Sequence, residues 1–106
     1  MGQAYRVPKR TILCIDENDA TLAYLKSLME RSGYAVLTAS SAAQGIGLAS
    51  MFDLDAVVLD YHLPEMSGHH VAVAIKRCQP RALIVMFSGS DVPDETRQLV
   101  DAVVLR

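Results

Sequence analysis

Short continuous apolar runs separated by helical patterns constrain this chain more than any other feature. Ile12–Ile15, Ala35–Ala39, Ala56–Leu59, Leu83–Phe87 and Ala102–Leu105 carry almost no polar side chain. A strand that is apolar throughout is buried on both faces, the situation of a parallel sheet between layers of helix. Helical patterns fill the gaps. Asn18 or Asp19 can cap a helix bearing Leu22, Leu25, Leu28 and Met29 and stopped by Gly33. Ser41 with Gln44 makes a capping-box pattern for a second helix that ends near Met51 and is weakened by Gly45 and Gly47. Val71, Ala74, Ile75 and Cys78 fall on one face of a third, stopped before Pro80. Asp91 can cap a short fourth, with Pro93 in its first turn and Asp94 and Glu95 complementing its dipole. The pattern is (βα)4β: an α/β, doubly wound parallel five-stranded sheet in a single domain spanning 1–106, with 1–10 as an N-terminal extension.

Composition removes several function classes. The chain has 106 residues, 51% of them apolar, which supports a compact core and excludes disorder. A net charge of -2 implies neither direct nucleic-acid binding nor attachment to an anionic membrane. No apolar run approaches the roughly 20 residues a membrane helix needs. Arg6, Lys9 and Arg10 are not followed by the apolar stretch of a signal peptide. Two cysteines, Cys14 in a predicted strand and Cys78 at a helix end, fit a reduced, cytoplasmic protein, with Cys14 a core residue.

The chemistry collects at strand ends. Asp60 ends the run Ala56-Val57-Val58-Leu59 and opens the loop Tyr61-His62-Leu63-Pro64-Glu65-Met66-Ser67-Gly68. Open α/β sheets place their ligands at the C-terminal ends of such strands. Asp16-Glu17 ends another run, Ile12–Ile15. Carboxylates gathered at neighbouring strand ends repel unless a cation sits among them, which points to a hard divalent metal beside a nucleophilic aspartate.

Four patterns stand in order: Ile12–Ile15 with Asp16-Glu17, Val57–Leu59 with Asp60, Pro64 and Gly68, Ile84–Phe87 with Ser88-Gly89, and Asp101–Leu105 with Arg106. From about Thr11 to Arg106 the chain resembles the receiver domain of bacterial two-component response regulators. The resemblance implies a flavodoxin-like strand order 2-1-3-4-5. It implies a phosphoryl group accepted on Asp60, with Mg²⁺ held by Asp16, Glu17, Asp60 and the backbone carbonyl of His62. Ser88 matches the hydroxyl that binds the phosphoryl group, Gly89 the small residue after it, and Arg106 the lysine that pairs with the phosphoryl oxygens. The implied donor is a sensor histidine kinase or a phosphotransfer protein, and the implied role is a switch, not an enzyme.

Three positions depart from that pattern. Glu17 replaces the commoner aspartate, Arg106 replaces lysine, and Val103 stands where many receivers carry a switching aromatic. Arginine keeps the charge but is planar and larger. These departures motivate an alternative, a pseudo-receiver that binds proteins without efficient phosphorylation. A further alternative is an aspartate-nucleophile phosphatase, because Asp53-Leu54-Asp55 resembles the paired aspartates of haloacid-dehalogenase-type enzymes; there the pair follows a strand, whereas here it precedes one. His69 and His70 are adjacent, so a helix turns them apart and disfavours a metal site. His62 is expected to tune access to the phosphoryl group.

The pattern also stops at strand five, so the final helix of the resembled fold is expected to be missing. That helix would share a face with the first. Apolar side chains of strands one, three and five are then expected to be exposed there, covered by a further C-terminal segment, by the rest of a longer protein or by self-association.

Overall fold

The computed structural model describes residues 8–106, and residues 1–7 of the expected extension, Arg6 among them, lie outside the described residues. Strands β1 (Thr11–Ile15), β2 (Ala35–Ala39), β3 (Ala56–Asp60), β4 (Leu83–Ser88) and β5 (Ala102–Leu105) form one sheet. Their order is β2-β1-β3-β4-β5 and every pairing is parallel. Helices α1 (Asp19–Arg31), α2 (Ala42–Met51), α3 (Gly68–Cys78) and α4 (Asp94–Leu99) make the crossovers. The winding reverses between β1 and β3, so their C-terminal ends lie side by side.

Alternation along the strands divides the interior in two. Leu13, Ile15, Val57, Leu59, Ile84 and Met86 join Val71, Ala72 and Ile75 in a core beneath α2, α3 and α4. Ile12, Cys14, Val36 and Val58 join Leu22 in a smaller core beneath α1. Full burial of a large aliphatic side chain stabilises by roughly 1.5–3 kcal/mol. Burial, and after it the Asp16 charge, pushes the Cys14 thiol up to about 11. It therefore stays protonated at neutral pH and acts as a packing residue.

Several local expectations need correction. Leu28 is 43% exposed. At 3.6 residues per turn it stands about 120° around α1 from Leu22, whereas Met29 stands about 20° away. On α3 the buried stripe is Gly68, Val71, Ala72 and Ile75, while Ala74 is half-buried and Cys78 exposed. That helix packs against both α2 and α4, which moves its buried face round toward Ala72. Asn18 caps α1 by accepting from the Thr21 amide. Ser41 accepts from the Gln44 amide as expected, but Gln44 Oε1 reaches back to the Ser40 amide, one residue earlier than a closed box. Asp91 does not cap α4: the helix starts at Asp94 with Pro93 as N-cap, and Asp91 lies 3.5 Å from Arg97 instead.

The glycines of α2 have different reasons. A Cβ on Gly45 would stand 2.5 Å from Ile15 Cδ1 and 2.9 Å from its Cγ1. Ile15 is itself fully packed. A Cβ on Gly47 meets nothing within 4 Å. Gly47→Ala is expected to stabilise by about 0.5–1 kcal/mol through helix propensity. Gly45→Ala is expected to cost about 1–3 kcal/mol through overpacking. Urea melts of the two variants should move in opposite directions; a parallel shift would contradict this packing account.

The α1 side of the sheet is only partly covered. Strands β1 and β3 are not exposed there, contrary to expectation: Ile12, Cys14 and Val58 are buried, because α1 and its flanking side chains reach across them. Strand β5 is exposed as expected, with Val104 at 41%, and β4 joins it, with Leu83 at 55%.

Candidate functional site

Parallel winding brings four sequence-marked positions to one edge of the sheet. Asp60 is the last residue of β3 and Asp16 directly follows β1. Both are buried. Asp16 is fixed from both sides, its amide donating to the Ala39 carbonyl at 3.1 Å. Its Oδ1 accepts from the Asn18 amide at 2.9 Å. Asp60 Oδ1 accepts from the His62 amide at 3.1 Å. The Tyr61 amide extends the ladder to the Phe87 carbonyl at 2.9 Å.

The loop after Asp60 closes tightly. The Gly68 amide donates to the Tyr61 carbonyl at 2.7 Å. A Cβ on Gly68 would stand 2.7 Å from Tyr61 Cα and 3.0 Å from the Asp60 carbonyl oxygen. Only a glycine lets the start of α3 lie against the backbone of the aspartate. Glu65, on the same loop, accepts from the Ala42 amide at 2.8 Å. It thereby ties the loop to the first turn of α2, a favourable place for a carboxylate. Sequence reading missed this contact, since it bridges residues far apart in the chain.

Ser88 ends β4 with its side chain buried. Its hydroxyl donates to the Ser90 carbonyl at 2.6 Å and accepts from the Ser90 amide at 3.2 Å, so in this state it serves its own turn. The exposed His62 ring reaches across to Ser90, with Nε2 3.2 Å from Oγ. Arg106 follows β5. Its guanidinium donates to Asp16 Oδ2 at 2.9 Å and lies 5.4 Å from the centroid of the Phe87 ring. It thus pairs with the acidic pair's first member, whereas the resemblance matched Arg106 to a residue that pairs with phosphoryl oxygens.

Burial, and secondarily the Asp16 charge, push the Asp60 carboxyl above its ordinary 3.8, against the opposing effects of the His62 amide and Arg106. Asp60 is therefore a desolvated carboxylate facing a like charge, a state that a cation relieves. The donors fit a hard metal: Mg²⁺ takes oxygen ligands, needs only one or two carboxylates and keeps several waters. The structure brings Asp16 and Asp60 together but not the full expected triad. Glu17 is exposed, and among the described residues no group of three or more His, Cys, Asp or Glu side chains gathers to hold a metal. His69 Nδ1 bonds Thr96 Oγ1 at 2.9 Å, joining α3 to α4. Asp55 lies at the start of β3, where its Oδ2 accepts from the Thr11 amide at 2.7 Å. That is the opposite end of the strand from Asp60.

The model of the response regulator receiver domain matches residues 12–104. This chain belongs to the receiver domain family. The cell cycle transcriptional regulator CtrA of Caulobacter vibrioides is 29% identical over 83 residues, 78% of this chain and 36% of CtrA. The receiver spans about a third of the length of such relatives. A receiver domain protein from Methanospirillum hungatei shares the fold at a TM-score of 0.87 and 23% identity, covering 93% of this chain and 82% of that one. TrrA of Thermotoga maritima, solved with Mg²⁺ and BeF, gives 0.83 at 24%, covering 92% and 86%. TrrA has also been solved in complex with the histidine kinase ThkA. A response regulator from Burkholderia pseudomallei, solved with a phosphorylated aspartic acid and a calcium ion, gives 0.85 at 24%, covering 92% and 60%. The receiver is thus a module of two-component signalling, and among its described residues no helix is long and apolar enough to cross a membrane.

Proposed function

We propose that the receiver accepts a phosphoryl group on Asp60, assisted by Mg²⁺, and relays the modification as a change of conformation. The observation that carries this is the buried pair Asp16 and Asp60 at the ends of β1 and β3, where the winding reverses. The donor is a phosphohistidine of a sensor histidine kinase or a phosphotransfer protein, in the cytoplasm. TrrA, with its Mg²⁺–BeF complex and its kinase complex, supports that reading by analogy.

One oxygen of Asp60 attacks phosphorus as the phosphorus–nitrogen bond of the donor breaks, and the donor imidazole takes up a proton. Mg²⁺ would be held by Asp16 and Asp60, with Glu17 and the His62 carbonyl completing the protein's share, and would neutralise phosphoryl oxygen charge. Ser88 would leave the Ser90 carbonyl to donate to the phosphoryl group. Arg106 would offer its fork to the same oxygens. Turning Ser88 frees the 88–90 turn, which leads into α4, and carries the local charge change to the α4–β5 surface. Val103 is partly buried against the core there, so position 103 supplies no aromatic ring to the movement.

Incubation with acetyl phosphate and Mg²⁺ followed by intact-mass measurement tests this, with one phosphoryl group per chain expected. The pseudo-receiver reading has one observation in its favour, the Arg106–Asp16 pair. Absence of labelling would select it over the phosphoacceptor. Continuous turnover of a phosphomonoester would instead select the phosphatase.

A further inference from the structure

Both oxygens of Asp16 are engaged within the protein: Oδ1 by the Asn18 amide and Oδ2 by Arg106, each at 2.9 Å. The Asp16 side chain is 5% exposed and that of Arg106 44%, so the pair has one desolvated and one accessible end. The guanidinium is also held from the other side by the face of Phe87. A metal on Asp16 would lie about 2.1 Å from a carboxylate oxygen, which leaves the two cationic centres at most about 5 Å apart on a shared oxygen. Like charges that close, beside a buried carboxylate, do not coexist comfortably. The accessible end, Arg106, is the one free to leave.

We infer that Arg106 and the divalent cation are alternative occupants of Asp16, so that Arg106 is a tethered competitor holding the acidic site closed until metal displaces it. This deepens the proposed function and rests on its assignment of Mg²⁺ to Asp16 and Asp60. A phosphoryl group on Asp60 offers Arg106 a second anion. Phosphorylation therefore draws the guanidinium off Asp16 and tightens metal binding, and metal binding frees Arg106 to meet the phosphoryl oxygens. The two events become mutually supportive through one side chain. Arg106 acts here as a positioning residue.

The test is a Mg²⁺ titration of the 106-residue chain followed by NMR, reading the backbone amides of Asp16, Glu17 and Asp60 together with the guanidinium signals of Arg106. In the parent protein the guanidinium signals are expected to move with the same apparent Kd as the amides. Arg106→Gln is expected to bind Mg²⁺ about threefold to tenfold more tightly, the scale of a partly exposed ion pair. Guanidinium signals that stay in place while the amides saturate overturn the inference, even if Arg106→Gln binds more tightly, because removing a nearby charge alone does that. Equal Kd values in parent and variant overturn it too. An absence of any Mg²⁺ response in either protein overturns the underlying metal assignment instead. The parent titration needs no variant, so poor folding of Arg106→Gln leaves the test intact.

Discussion

Asp60→Asn is expected to abolish labelling by acetyl phosphate while raising the stability of the metal-free protein at neutral pH. The first effect is complete because an amide is neither a nucleophile toward phosphorus nor able to form the acyl phosphate. The second follows from the raised carboxyl pKa, whose main cause is burial. A carboxyl whose folded pKa lies above its unfolded value binds more protons folded than unfolded. Its contribution to stability is therefore favourable below the ordinary 3.8 and is lost as pH rises through the raised value. At pH 7 the parent carries a desolvated charge that the variant lacks. The parent's metal-free stability should decline across that acidic window, and the variant's should decline less. Mg²⁺ should reverse the order by stabilising the parent more. Labelling that survives the substitution would place the acceptor elsewhere, and a variant less stable than the metal-free parent at pH 7 would contradict the desolvation argument.

Gly68→Ala is expected to lose about 2–4 kcal/mol of stability and most of the labelling rate. The new methyl group meets backbone on two sides, Tyr61 Cα at 2.7 Å and the Asp60 carbonyl oxygen at 3.0 Å, so no rotamer change relieves it. Overpacking costs about 1–3 kcal/mol. The displaced helix also weakens the Gly68–Tyr61 hydrogen bond, worth about 0.5–1.5 kcal/mol. Any shift of this loop moves the Asp60 backbone, and a displacement of about 1 Å at a reacting group can cost on the order of 100-fold in rate. Thermal melts and initial labelling rates report the two losses separately. A variant with parental melting and labelling would show that the loop accommodates a side chain.

Sequence alone settled the element order, because each strand is a short run apolar on both faces and each gap carries a 3.6-residue period or a capping residue. It placed Asp16, Asp60 and Ser88 at strand ends for the same reason: a buried run ends where its first polar side chain must find a partner. It also determined that Cys14 belongs to the core. What it left open depended on neighbours distant in the chain. Gly45 and Gly47 are two positions apart and look alike in a helix, yet only Gly45 has Ile15 against it. Leu28 matches an apolar helix residue but faces solvent, since the position of α1 on β1 and β2 decides which arc is buried. Asp91 is a good cap by type, but the buried Val92 and the backbone of Pro93 start α4 later. The partner of Arg106 was the largest such gap. A cation placed after β5 can reach either carboxylate, and the sheet geometry, with Phe87 beneath the guanidinium, directs it to Asp16. Local chemistry named the charged groups, and the crossover connections, which bring residues 90 positions apart within a hydrogen bond, chose the pairs.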